Sequence, residues 1–199
     1  MTEKTVLRAE MRALRKAIPI EEARRQAEGI LDHLRTWPVY RNARCVMAYV
    51  SMPGEVATMD ILDDILAAGK CLALPLPEPS DGTAPGPRMR AVAAEDWHSL
   101  RPGPLGIPAP DAAWPDVPPE QIDLVLVPGV AFDREGGRLG QGKGYYDHFL
   151  RCTDACAAGV AYTQQIVTRV PREAHDIDMM ALITARGVAV TPFGGGYKT

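Results

Sequence analysis

A chain of 199 residues is long enough for one domain that buries roughly 70% of its unfolded surface, with no disulfide or metal needed to hold the core. The net charge of −3 gives no overall attraction to nucleic acid or an acidic membrane, so any cations that matter must act locally. The four cysteines lack C-x-x-C spacing, no apolar run approaches the roughly 18 residues of a membrane span, and Met1 to Glu10 lacks a signal peptide's apolar core. Together these point to a soluble cytoplasmic protein with free thiols. Cys152 and Cys156 are spaced to share a helix face, but no further ligands accompany them, which speaks against structural zinc.

In chain order, Leu7, Met11, Leu14 and Ile18 recur at helical spacing, with Lys4, Arg8, Arg12 and Arg15 on another face, predicting a basic amphipathic helix. Ala27, Ile30, Leu31 and Leu34 mark a second helix that Trp37-Pro38 ends. The continuous apolar run Cys45 to Val50, closed by Ser51-Met52-Pro53-Gly54, reads as a strand buried on both faces. Ile61, Leu62, Ile65 and Leu66 predict a helix stopped at Gly69, and Cys71 to Leu76 another strand, so strand, helix and strand imply a parallel sheet. Two Pro-rich segments, 75–87 and 102–119, flank a short strand over Arg88 to Ala93; loops of that length usually cover a site. Ile122 to Val127 is a strong buried strand, and Tyr145 to Cys152 begins a helix. Ala158 to Tyr162 and Gly187 to Val190 are further strands, before a Gly-rich tail over 193–199.

The segment Val127 to Asp147 follows the buried strand directly, at the strand end where open α/β sheets bind ligands. Its glycines let backbone N–H groups approach anionic oxygens, Arg138 and Lys143 add positive charge, and Asp147 is a carboxylate suited to a nucleotide's Mg2+. That combination fits a polyphosphate. Gly137, Gly142 and Lys143 have the G-x-x-x-x-G-K spacing, but Gly144 stands where a Walker loop needs Ser or Thr. Gly140, Gly142 and Gly144 read G-x-G-x-G rather than a dinucleotide fingerprint. The structural alternative is a hairpin whose glycines serve turn geometry alone.

Arg138 to Asp147, as R-L-G-x-G-x-G-Y-Y-D, resembles the signature of the 5-formyltetrahydrofolate cyclo-ligase family. The resemblance extends in order through Lys4 to Arg8, Tyr49 to Val56, Gly106-Ile107-Pro108-x-Pro110, Val127 to Asp133, Gln165 to Pro171 and His175-Asp176, nearly the whole chain. It implies a single-domain three-layer α/β/α sandwich over 1–192 with a mostly parallel sheet. It also implies ATP- and Mg2+-dependent closure of 5-formyltetrahydrofolate to 5,10-methenyltetrahydrofolate through a phosphorylated formyl oxygen, with ADP and phosphate released. Its partners would be folate and ATP, without nucleic acid or membrane, and its state a monomer or weak homo-oligomer.

Carried over residue by residue, Lys4, Thr5, Val6, Leu7 and Arg8, and Arg138, Leu139, Gly140, Gln141, Gly142, Lys143, Gly144, Tyr145 and Tyr146, match ATP-contacting segments. Arg138 and Lys143 would stabilise charge during phosphoryl transfer. Val50 and Glu55 match folate-contacting positions, and Asp147 and Asp176 match magnesium positions. Each has a plainer reading: Lys4 and Arg8 as a solvated helix face, Glu55 as a cap on the following helix, one of Tyr145 and Tyr146 as core, Asp176 as a surface acid. His175 fits orienting its neighbour as well as chemistry. Leu105 departs from the family, which often carries an aromatic there, and aliphatic packing replaces only part of a stack, which leaves room for weaker folate affinity or a related substrate. The rival readings are another ATP-dependent ligase or kinase and, from a different class, an idle nucleotide- or RNA-binding regulator using the basic first helix.

Overall fold

The computed structural model describes residues 2–78, 86–103 and 108–195, so Leu105 and the end of the tail lie outside the described residues. Helices α1 (Glu3–Ala17), α2 (Ile20–Thr36) and α3 (Pro38–Asn42) precede strand β1 (Cys45–Met47). Then come α4 (Met59–Ala67), β2 (Cys71–Pro77), β3 (Met89–Ala93) and the short strands β4 (Arg101–Pro102), β5 (Pro108–Ala109) and β6 (Asp116–Val117). The chain continues through β7 (Leu124–Val127), β8 (Ala131–Asp133), β9 (Arg138–Leu139), α5 (Tyr145–Phe149), β10 (Cys156–Val160), β11 (Ile166–Val167), β12 (Ala181–Thr184) and β13 (Gly187–Val190).

Eight strands form the main sheet in the order β13-β12-β10-β7-β1-β2-β3-β6. Its centre is parallel, as the β1–α4–β2 unit requires, and antiparallel pairs finish both edges. Alternation along each strand divides the core. Val46, Leu72, Leu74, Leu124 and Leu126 face a layer made by Ile30 and Leu34 of α2, Tyr40 of α3 and Ile61, Leu62 and Ile65 of α4. Met47, Ala73, Val125 and Val127 face Phe132, Phe149, Leu150 and Met179 on the other side. The fold is thus the expected α/β sandwich.

The second face is less helical than a plain sandwich. Beside α5 it carries a small sheet, β11-β8-β9, and α1 docks on that sheet through Met11 against Val130, Ala131, Leu139 and Val170. This corrects the first helix's apolar stripe. Leu14 is 37% exposed, while Arg15 takes the inward position one turn after Met11. Trp37-Pro38 ends α2 as expected but begins the unanticipated α3, with Pro38 at its first turn. Strand β12 was likewise not anticipated. Cys156 belongs to β10 and Cys152 to the short 3-10 turn after α5, so they share no helix; all four cysteines are free thiols. Pro192–Gly194 form a 3-10 turn in which Gly194 is buried beside Met180. Among the described residues no helix is long and apolar enough to cross a membrane.

Candidate active site

A cleft of about 1170 Å³ opens where β1, β2 and β7 end. Its walls are Tyr49 and Val50 after β1, Leu74 to Pro77 of β2, Pro128 and Gly129 after β7, the loop 138–144, the start of α5 and one face of α1.

The glycine segment does not form a single phosphate loop. Residues 131–139 are the β8–β9 hairpin, and Asp133 organises its turn: Oδ1 accepts N–H groups of Glu135 and Gly137, and Oδ2 that of Val170. Arg172 pairs with the same carboxylate at 2.9 Å. Burial pushes this carboxyl up, but the Val170 and Gly137 amides and Arg172 outweigh it, so the group is held below the usual carboxylate range. Several glycines here serve packing. A Cβ on Gly129 would lie 2.4 Å from the Phe132 ring, and one on Gly137 would lie 2.5 Å from Asp133. The true loop is shorter, from Gly140 to Gly144, with Gly142 and Gly144 in the left-handed region at φ 96° and 72°.

Helix α1 presents Lys4, Arg8 and Arg12 to this loop, because residues four apart share a helix face. Arg8 Nε donates to Gly140 O at 2.9 Å, and Arg12 donates to Gln141 Oε1 at 2.6 Å. Lys4 and Arg8 are half-buried and are therefore not a solvated face, whereas Arg12 is exposed. Thr5 and Val6 of the same segment are exposed and Leu7 packs on the small core beneath, so none of the three lines the cleft. Lys143 is exposed at the rim and makes no ion pair among the described residues.

Arg138 is buried. Its Nη2 donates to Asp147 at 2.7 Å, its Cζ sits 5.8 Å from the centre of the Tyr146 ring, and its Nε has no partner among the described residues. Asp147 also accepts the Ile177 N–H. Asp176 accepts from Lys4 Nζ at 2.7 Å and from the Glu173 N–H, with His175 Nε2 at 3.9 Å. Burial raises the Asp176 carboxyl, but Lys4 and the Glu173 amide more than reverse this, leaving it below its ordinary range. Among the described residues no group of three or more His, Cys, Asp or Glu is arranged to hold a metal unaided.

At the other end, Glu55 does not cap α4. Thr58 stands at that position, bonding Tyr49 O and the Ser51 N–H, and the Glu55 carboxylate accepts the Met52 N–H at 3.1 Å. Burial pushes the Glu55 carboxyl above the usual range, against the Met52 amide, the Arg15 charge and the Gln141 side chain. Tyr49 and Tyr146 are pushed up by burial and further by Glu55. Both Tyr145 and Tyr146 line the cleft, Tyr146 also packing against the core. Sequence reading missed Tyr49, Met89 and Arg151 as cleft residues; only Arg12, one turn beyond Arg8, carried a periodic signal for this face.

The model of the 5-formyltetrahydrofolate cyclo-ligase family matches residues 1–185. The chain belongs to that family. A 5-formyltetrahydrofolate cyclo-ligase of Mycolicibacterium smegmatis is 32% identical over 195 residues, covering 92% of this chain and 94% of its own. The solved 5,10-methenyltetrahydrofolate synthetase of Aquifex aeolicus superposes with a TM-score of 0.82 at 34% identity, over 96% of this chain and 94% of that one. The synthetase of Mycoplasma pneumoniae, at 20% identity and a TM-score of 0.72 over 92% of this chain and 99% of its own, shares the fold. Membership of the cyclo-ligase family makes the chain a ligase.

Proposed function

We propose that this cleft closes 5-formyltetrahydrofolate to 5,10-methenyltetrahydrofolate at the expense of ATP, in a reducing cytoplasm that suits four free thiols. One observation carries the reading. A cation-rich wall and a tyrosine-lined end holding a partly desolvated carboxylate share a cleft, and Gln141 of the glycine loop acts on both, taking Arg12 and facing Glu55.

The formyl oxygen of an N-formyl group is a poor leaving group. In the reaction proposed, it attacks the γ-phosphorus and ADP departs. N10 then attacks the formyl carbon, the C–O bond breaks with loss of phosphate, and the N10 proton is released. Phosphoryl transfer depends chiefly on positioning and charge stabilisation. Arg138 offers a buried Nε–H with no acceptor among the described residues, which an anionic oxygen would satisfy, and Lys4, Arg8, Arg12 and Lys143 surround the same end. Glu55, with Val50 beside it, supplies a charge-assisted acceptor for pterin N–H donors.

The acids fit a magnesium ion that arrives with the nucleotide rather than a protein cage. Asp147 uses Oδ1 and Asp176 uses Oδ2 for hydrogen bonds within the protein. Among the described residues Asp147 Oδ2 accepts no hydrogen bond and Asp176 Oδ1 has only His175 Nε2 at 3.9 Å, so one oxygen of each is open to a cation whose remaining ligands are phosphate and water. Such an ion neutralises charge on the transferring group.

The test is to incubate the protein with 5-formyltetrahydrofolate, ATP and Mg2+ while following the absorbance of the methenyl product. Product should form, EDTA should abolish it and Mg2+ restore it. ADP release with another pterin or small carboxylate but none with 5-formyltetrahydrofolate would replace this reading with a related ligase. Full activity of an Asp147→Asn, Asp176→Asn double variant at limiting Mg2+ would remove those residues from the metal.

A further inference from the structure

Two of the four thiols stand side by side in the main sheet. Cys45 opens β1 and Cys71 opens β2, and the parallel register pairs them directly, followed by Val46 with Leu72 and Met47 with Ala73. Residues paired in this way on neighbouring strands are about 4.8 Å apart and point to the same face. That face is the one on which Cys45, Met47 and Ala73 share a core cluster. A disulfide needs Cα atoms about 4.4–6.8 Å apart and side chains that do not diverge, so sheet spacing alone brings this pair within bonding reach.

Both strand starts are held in place. Cys71 N–H donates to Arg44 O at 2.8 Å, the Asp123 carboxylate accepts the N–H groups of Arg44 and Cys45 at 2.7 and 2.9 Å, and Cys45 O accepts the Asp123 N–H at 3.0 Å. The two thiols differ in access: Cys45 is buried and Cys71 is open to solvent. Burial, and after it the neighbouring Cys71, push the Cys45 thiol up, which keeps it neutral beside its partner. The other cysteines are placed differently. Cys156 is paired with Leu124 and faces the opposite core, and Cys152 lies outside the sheet in the turn after α5.

We propose that Cys45 and Cys71 form an oxidation site, a dithiol that a low-molecular-weight disulfide converts to a cross-strand disulfide tying β1, α4 and β2 together. The exposed Cys71 reacts first, as thiolate, on one sulfur of the small disulfide; a mixed disulfide forms and the first small thiol leaves with the proton that Cys71 lost. Cys45 then gives up its proton and attacks Cys71 Sγ. The bond from Cys71 to the small thiol breaks, and the second small thiol leaves with that proton. The protein loses two electrons and two protons, and the small disulfide gains them. Neither cysteine lines the cleft, so the bond forms behind the site, at the far ends of the strands that lead to Tyr49 and Leu74.

The experiment exposes the folded full chain to oxidised glutathione, blocks the remaining thiols with N-ethylmaleimide, maps the peptides by mass spectrometry and melts each form. Exposed Cys152 reports that the oxidant has reacted with the protein. A linked Cys45–Cys71 peptide should appear and revert with dithiothreitol. Cys45→Ala should trap glutathione on Cys71, and Cys71→Ser should leave Cys45 unmodified. Closing the chain between 45 and 71 restricts the unfolded state, so the oxidised wild type should melt about 5–10 °C higher, a gain absent from both variants. Cys71→Ser, at an exposed position, serves alone if Cys45→Ala fails to fold. Four results overturn the inference: an unreacted pair beside a modified Cys152, glutathione remaining on Cys71 of the wild type, a bond from Cys71 to any other cysteine, or a Cys45–Cys71 bond that forms only in urea. A linked pair without a rise in melting temperature overturns the tying of β1, α4 and β2.

Discussion

At the glycine-loop end of the cleft, Asp147 and Asp176 each meet a cation at 2.7 Å, whereas Glu55 at the other end meets the Met52 N–H and the neutral Gln141 side chain among tyrosines. The carboxyl of Asp176 is accordingly held low and that of Glu55 is pushed up, although both are partly buried. Burial acts in the same direction on both acids; the partners decide the sign. Lys4, Arg8, Arg12, Arg138, Lys143 and Arg151 face four carboxylates along this cleft, leaving it net positive on a chain whose total charge is −3. One end therefore suits a polyanion, and the other a neutral ring with a few N–H donors.

The sharpest way to break this contrast is at Arg138. Arg138→Met should lower turnover about a thousand-fold, on the order of 4 kcal/mol, if its guanidinium carries charge on the transferring phosphoryl group. The side chain is 4% exposed and paired, so the variant should also melt lower, by about 1–3 kcal/mol, because Asp147 is left half-buried without its cation. Adding Asp147→Asn should return much of that stability and none of the turnover. Stability and turnover recovering together in the double variant would make Arg138 a structural residue.

At the opposite end, Glu55→Gln should weaken folate binding by about tenfold to a hundredfold, roughly 1.5–3 kcal/mol, through loss of a charge-assisted acceptor. Stability should hold or rise slightly at pH 8. A carboxyl whose folded pKa is raised costs stability once the pH exceeds that value, and neutral Gln removes the cost. Calorimetric titration beside a thermal melt checks both parts. Unchanged folate affinity would erase the distinction between the two ends.

The smallest effect is at Lys4. The Asp176 carboxyl is depressed, so its pairing stabilises the fold above the unfolded carboxylate pKa near 4 and is lost as pH falls through the lower folded value. Lys4→Met should therefore cost about 0.5–1 kcal/mol in urea melts at pH 7 and nothing measurable near pH 2. A cost independent of pH would mean that Lys4 acts through packing and not through its charge.

Much of the fold is readable along the chain because it rests on local period. Cys45 to Val50, Ile61 to Leu66 and Cys71 to Leu76 carry the alternating signals of a parallel unit, and Gly69 stops α4 where φ reaches 69°. The signature decapeptide marks the site. The glycines of the longer segment 127–147 look alike in sequence, yet Gly129 makes room for Phe132 and Gly137 for Asp133, while Gly142 and Gly144 shape the loop. Steric need at a distance leaves no local trace. The same is true of Met89 and Arg151, which reach the cleft only because β3 and the turn after α5 pass beside it.

The sequence alone determined the strand–helix–strand core, the glycine-rich segment behind β7 and the cationic row on α1, since each depends on residues within a few turns of one another. Tertiary structure decided which of those cations are spent on carboxylates, that Arg15 rather than Leu14 turns inward, and that Glu55 sits desolvated among Tyr49, Tyr146 and Tyr162 instead of capping a helix. The physical reason is that charge state and burial are set by neighbours brought together from across the chain, as with Lys4 and Asp176, which are 172 positions apart.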